Sequence, residues 1–134
     1  MAEATTDTYD ATKEAVVGAL GVGEDEVTPD ATLMDDLGAE SIDLLDILFR
    51  IERSTGTKVQ ASDIGDYIQG GIPDEEFGEE GGVLSDKGFD QVRKAMPQVD
   101  ESLRGQLKPE EVINHFTVQN LADLVQSRAG GGAG

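Results

Sequence analysis

The stretch from Ser41 to Ser54 constrains the fold more than any other part of the chain. Advanced by 100° per residue, Asp43, Asp46, Arg50 and Arg53 fall in one narrow polar stripe. Ile42, Leu44, Leu45, Ile47, Leu48, Phe49 and Ile51 then fill an arc of roughly 220°. A helix resting on a small bundle needs about half of that arc. The surplus has to touch something else.

Helical periodicity recurs elsewhere, and no period-two pattern competes with it. A first helix is expected over about residues 7–20, with Val16, Ala19 and Leu20 on one face and Asp7 or Thr8 as its cap. The segment from Gly21 to Ala39 reads as a loop. Its apolar anchors Val22, Val27, Leu33 and Leu37 are spaced like pins into a core, so it is expected to be ordered. Residues 62–111 read as a looser region. Within it a short helix is expected over Ser62–Gln69, followed by an acidic, Gly-rich loop over Pro73–Gly82. Ser85 caps a helix over 86–95, with Leu84 and Phe89 as a hydrophobic staple. Pro109 opens a short helix ending at His115. Thr117 caps a closing helix over 118–128, again with a staple, Phe116 and Leu121. The expected class is all-α.

Composition sets the outer limits. With 10 Lys and Arg against 28 Asp and Glu, the net charge is −18. Such a chain is repelled by nucleic acid and by anionic membrane surfaces, and basic protein surfaces suit it better. It has no cysteine, so it offers neither disulfides nor thiolate chemistry of its own. No apolar run approaches a membrane span, and the start lacks a signal pattern. A cytoplasmic, monomeric protein is expected. Residues 1–6 and 129–134 hold too little apolar surface to offset their ordering entropy and are expected to be mobile.

Catalytic constellations are poorly supported. The single histidine, His115, reads as a capping or packing residue, and one His without Cys makes no zinc set. Gly38-Ala-Glu-Ser41-Ile lacks the second glycine of a nucleophile elbow. The acidic loop at 74–80 lacks EF-hand spacing, and no phosphate-binding glycine loop is present. The expectation is a chain with no catalytic residues and no metal.

Ser41 stands apart. It follows a glycine-containing loop and begins the broad-arced helix, where unpaired N–H groups and the positive end of the dipole suit a phosphodiester. Taken alone, a serine there reads as a cap. The run Asp36-Leu-Gly-Ala-Glu-Ser-Ile-Asp-Leu-Leu-Asp46, however, closely resembles the attachment signature of acyl carrier proteins. Likeness extends upstream through Leu20-Gly-Val, Glu26-Val-Thr and Ala31-Thr-Leu-Met-Asp-Asp-Leu-Gly, and downstream to Glu52. It resumes at Phe116-Thr-Val-Gln-Asn-Leu-Ala-Asp-Leu-Val125, similar to the family's closing helix. In all it spans about residues 7–60 and 109–127.

That resemblance implies a four-helix carrier whose serine, here Ser41, receives 4′-phosphopantetheine from coenzyme A through a phosphopantetheinyl transferase. The arm's thiol would hold acyl groups as thioesters. Asp36, Glu40, Asp43 and Asp46 would dock on basic patches of acyl-loading enzymes, synthases and acyltransferases. Between Lys13 and Arg50 the chain carries ten acids and no base, in keeping with that role. Ile42, Leu45, Leu48 and Phe49 are candidates for an acyl-chain environment; contact with partner enzymes or packing in an enlarged bundle would equally use the surplus.

Four departures from the family pattern stand out. Glu40 replaces the usual Asp before the serine, Ile42 replaces the usual Leu, and Arg50 with Arg53 adds positive charge low on the polar stripe. About residues 64–108 form an insertion where ordinary carriers have a short loop and one short helix, similar to insertions in specialised free-standing bacterial carriers. The expected organisation is a single carrier domain over 7–128, an acyl-carrier-like four-helix bundle with extra short helices in the insertion. An aminoacyl or peptidyl carrier and an unmodified adaptor with the same fold are the rival readings.

Overall fold

The computed structural model describes residues 6–78 and 82–132. Six α-helices follow one another among these residues: α1 (Thr6–Leu20), α2 (Ser41–Thr55), α3 (Ala61–Gln69), α4 (Asp74–Phe77), α5 (Asp86–Ala95) and α6 (Val118–Gly132). Short 3₁₀ turns occupy Glu24–Glu26, Glu101–Leu103 and Pro109–His115. The described residues hold no strand, only isolated bridges at Thr32–Thr117 and Gly78–Leu84. The all-α expectation holds.

Helix α1 packs against α2 and α6. Their shared core takes Val16 from α1, Ile47 and Ile51 from α2, and Leu121 and Leu124 from α6, with Phe116 fully buried beside them. Each of these stripes follows the 3.6-residue period that the sequence displays. Asp7 and Thr8 do not cap α1, because the helix already begins at Thr6. Asp7 instead lies in the first turn, where its charge meets the positive end of the dipole. The Thr8 hydroxyl donates to Gln126 Oε1 of α6 at 2.7 Å. At the other terminus, the α6 backbone continues to Gly132, beyond the expected end at 128. Of the tails expected to be mobile, residues 1–5 and 133–134 lie outside the described residues.

The described residues within 62–111 are more ordered than their composition suggests. Helix α5 packs on α3 and α4, and Ile64, Ile68, Phe77, Leu84, Phe89, Val92 and Met96 join the same continuous core. One turn of helix, α4, stands where a loop was expected. Its carbonyls are held by the α5 cap: Ser85 Oγ donates to Glu76 O at 2.6 Å and Ser85 N to Phe77 O at 3.0 Å. Ser85 Oγ also accepts from Gly88 N at 3.0 Å, the expected capping bond. A cluster around Arg104 closes this region. Arg104 contacts Asp90 at 2.6 Å, Asp86 at 3.3 Å and Glu101, and its guanidinium lies 4.8 Å from the Phe89 ring centre.

The start of α6 is tied to α5 through Asn120. Its Oδ1 accepts from Thr117 N at 2.9 Å and from Gln98 Nε2 at 2.6 Å, while Thr117 Oγ1 accepts from Asn120 N at 3.1 Å. Thr117 is thus the cap its sequence position implies, and Asn120 reciprocates. Removing a buried, multiply bonded amide strands its partners. Asn120→Ala is expected to lower the unfolding free energy by about 2 kcal/mol in urea titrations.

The Arg104 cluster gives a pH prediction. The hydrogen bond from Arg104 holds the Glu101 carboxyl below the usual Glu range, with lesser help from the charges of Arg104 and Arg93. A carboxyl lowered on folding contributes stability above its unfolded pKa and loses it as pH falls through the folded value. Hydrogen-exchange protection of α5 amides should therefore decline on acidification below the Glu range, and Arg104→Ala should flatten that decline.

Candidate functional site

The loop before α2 places Ser41. Leu33 N donates to Phe116 O at 3.1 Å, Val118 N to Ala31 O at 3.0 Å and Gln119 N to Pro29 O at 3.1 Å, so the loop is bonded to the start of α6. Val27, Ala31, Leu33 and Ala39 are buried along it, with Val22 and Leu37 partly so. The pinned loop read from its anchors is present. Thr32 and Asp36 then close a turn reciprocally: Asp36 Oδ2 accepts from Thr32 N and Thr32 Oγ1 accepts from Asp36 N, both at 2.9 Å. Gly38 takes the left-handed conformation at φ 71°, which a side chain would strain, and turns the chain into Ala39.

Glu40, extended at φ −106° and ψ 173°, is the N-cap of α2, and Ser41 is the first helical residue. Ser41 is therefore not the cap that an isolated serine at a helix start suggests. Its side chain is exposed and makes no hydrogen bond among the described residues. The capping acceptor is Asp43, whose Oδ2 takes the Glu40 N–H at 2.9 Å. This leaves the Ser41 hydroxyl at the positive end of a fifteen-residue helix, open to solvent.

The four acids expected to dock partners occupy one neighbourhood but differ in their bonding. Asp36 holds the preceding turn, Asp43 holds the N-cap, and Asp46 pairs with Arg50 at 3.1 Å. Glu40 is exposed, with no side-chain bond of that kind. Farther along α2, a Cβ on Gly18 would lie 2.6 Å from an Arg50 guanidinium nitrogen, so that glycine admits the arginine against α1. The Arg53 guanidinium lies 5.7 Å from the Phe49 ring centre.

The broad apolar arc divides into two faces. Leu44, Ile47, Leu48 and Ile51 are buried, Leu48 to 3% exposure. Ile42, Leu45 and Phe49 stand outward at 72%, 55% and 57% exposure. None of the four residues proposed to surround an acyl chain lines the cleft beside the serine. Leu48 is held in the core, and the other three lie on the outer surface because their helical phase turns them away from α1 and α3.

That cleft has a volume of about 530 Å³. Ser41, Ala61, Gly65 and Asp74 lie at its exposed rim, and Leu44, Ile64, Ile68, Phe77 and Val112 form buried walls. Met34, Gln69, Gly78, Pro109 and Ile113 complete the lining. Gln69 Nε2 donates to Ile72 O at 2.7 Å and to Asp74 Oδ1 at 2.6 Å, fixing the turn between α3 and α4 at the rim. Sequence reasoning missed this site, since its walls come from α2, α3, α4 and the 109–115 turn together. Two signals were available: Phe77, a lone aromatic in an acidic loop, and Gly65, a glycine inside a helix at a cost of about 1 kcal/mol relative to Ala.

Residues 10–67 match the family model described as phosphopantetheine attachment site. This stretch is similar to phosphopantetheine-attachment domains. It is consistent with membership of the acyl carrier protein family, and domains of this kind bear their 4′-phosphopantetheine covalently and serve as carriers for other enzymes. The match spans most of α1, the pinned loop, α2 and most of α3. Residues 68–134 lie beyond it, including the stretch 109–127 that resembles the closing part of the family. No solved structure matches the chain. No helix among the described residues is long and apolar enough to cross a membrane, and these residues hold no grouping of three His, Cys, Asp or Glu side chains fit for a metal ion.

The bonding of the acids separates structural from exposed roles. Asp36→Ala and Asp43→Ala are each expected to lower stability by about 1 kcal/mol, since each removes a side-chain acceptor from a backbone N–H. Glu40→Ala should stay within about 0.5 kcal/mol of the parent chain. Urea midpoints of the three variants decide it; equal losses in all three would contradict the assignment.

Proposed function

We propose that the chain carries acyl groups as thioesters on a 4′-phosphopantetheine arm attached to Ser41. The supporting observation is the setting of that hydroxyl. It lies within the matched attachment domain, is exposed and unbonded at a helix N-terminus, and opens onto a mainly apolar cleft. The residues present fit the group: free N–H groups at the first turn favour a phosphodiester, and the exposed corner admits a transferase. The arm supplies the thiol that a cysteine-free chain lacks.

Cargo follows from the cleft. Leu44, Ile64, Ile68, Phe77 and Val112 offer an apolar surface on which an alkyl chain is stabilised by about 0.8 kcal/mol per buried methylene. An aminoacyl cargo would bring a charged ammonium to the same surface, where desolvation opposes it. The walls therefore favour acyl over aminoacyl or peptidyl groups. Partner enzymes on this reading are a phosphopantetheinyl transferase and acyl-loading, synthase or acyltransferase enzymes with basic patches. Glu40 is the acid best placed to meet them, because Asp36, Asp43 and Asp46 also serve bonds within the chain. The exposed stripe of Ile42, Leu45 and Phe49 adds an apolar contact on the same helix.

Co-expression with a broad-specificity phosphopantetheinyl transferase, followed by intact-mass measurement, tests the reading. One phosphopantetheine is expected on the parent chain and none on Ser41→Ala. An unmodified parent beside a modified control carrier would point to an adaptor acting by protein contacts. A gain retained in Ser41→Ala would place the arm on another residue.

A further inference from the structure

Gly65 sits inside α3 without a packing reason. A Cβ built there meets nothing within 4 Å, and the residue does not take a left-handed conformation. An alanine there would therefore improve the helix, its Cβ meeting no neighbour. The space it would enter belongs to the cleft, whose rim Gly65 shares with Ser41. Deeper in the same cleft stands Phe77, buried to 7% exposure and supplied by α4, outside the family match. Its position is backed by α5. A Cβ on Gly88 would lie 2.2 Å from Phe77 O and 3.2 Å from its ring, so the glycine admits α4 closely. The Ser85 bonds hold that same carbonyl.

We infer that Gly65 and Phe77 set the length of acyl chain the carrier shelters, Gly65 by leaving the rim open and Phe77 by ending the buried wall. The inference rests on acyl attachment at Ser41. It assigns a specificity role to residues 65–77, a segment that the attachment chemistry itself does not use.

The test loads the full-length holo protein with straight-chain acyl groups of increasing length and measures urea unfolding of each form. A tethered chain that enters the cleft stabilises the folded state, and each buried methylene raises the folded-to-unfolded ratio by about fourfold. In the parent chain this gain is expected to rise with chain length and then stop. Gly65→Leu should stop it at shorter chains, and this variant should fold at least as well as the parent because Leu is the better helix former. Phe77→Ala should carry the gain to longer chains, with Phe77→Leu as the milder substitute should the alanine form unfold. A stopping length unchanged in Gly65→Leu overturns the inference, as does a parent chain whose stability ignores acyl length. Intact mass separates the two levels. A chain that accepts no arm at Ser41 removes the attachment reading and this inference together, whereas a correctly loaded chain without length dependence removes the inference alone.

Discussion

Backbone hydrogen bonds between the loop at residues 29–33 and residues 116–119 govern where Ser41 and the start of α2 sit. Leu33 with Phe116, Val118 with Ala31, and Gln119 with Pro29 join segments more than eighty positions apart in the chain. Without them the loop would be a flexible connection between α1 and α2. With them, Ala39 N can bond Leu33 O at 2.8 Å, Gly38 can turn, and α2 begins at a fixed point with Ser41 outward. Phe116, fully buried, secures the α6 side of this junction. The same junction orients Asn120, which reaches α5, so the Ser41 corner and helix α5 share one support.

A carboxylate three positions into a helical turn recurs as the device that begins these elements. Glu26 accepts from Gly23 N, Asp43 from Glu40 N, Asp63 from Gln60 N and Glu111 from Lys108 N, at 2.7–3.1 Å. Each satisfies an N–H that the helix itself leaves unpaired. Asp63 goes further and pairs with Arg128 of α6 at 2.7 Å. A net charge of −18 thus partly reflects how the helices start. On the proposed reading the same charge attracts basic partners, so a substitution such as Asp43→Ala acts on stability and on docking at once.

Helices long enough to show several turns of periodicity could be read from the sequence: α1, α2, α3, α5 and α6 fall close to where their apolar stripes put them, although the expected cap of α1 and the end of α6 differ. Helix α4 could not. Four residues make one turn, too short to be stable alone, and it exists because Ser85 and the surface of α5 hold its carbonyls. The serine corner was legible because one contiguous run encodes it. The cleft was not, because burial of Phe77 and Val112 depends on how α4 and the 109–115 turn come to face α3. The signs of the acids' roles were also hidden. Asp36 and Asp43 look alike in a charge run, and only the geometry shows that each already holds a backbone N–H.

The broad arc of α2 resolves into a division of labour. Leu44, Ile47, Leu48 and Ile51 suffice to hold α2 in the core, Leu44 also reaching the cleft wall. Ile42, Leu45 and Phe49 remain in water, in a row at i, i+3 and i+7 that begins one residue after the serine. Leaving three large apolar side chains exposed forgoes the stabilisation that burial would give, about 1.5–3 kcal/mol for each. Their cost is lowest when another protein covers them during each encounter, and highest for a chain that works alone. On the proposed reading, an apolar row next to an open hydroxyl, bordered by carboxylates and followed by Arg50 and Arg53, fits a surface that partners cover transiently, with the cargo on the opposite, cleft-facing side of the same helix. On that reading, separating the two faces would let one helix present Ser41 to partners while the carried chain lies on its other side.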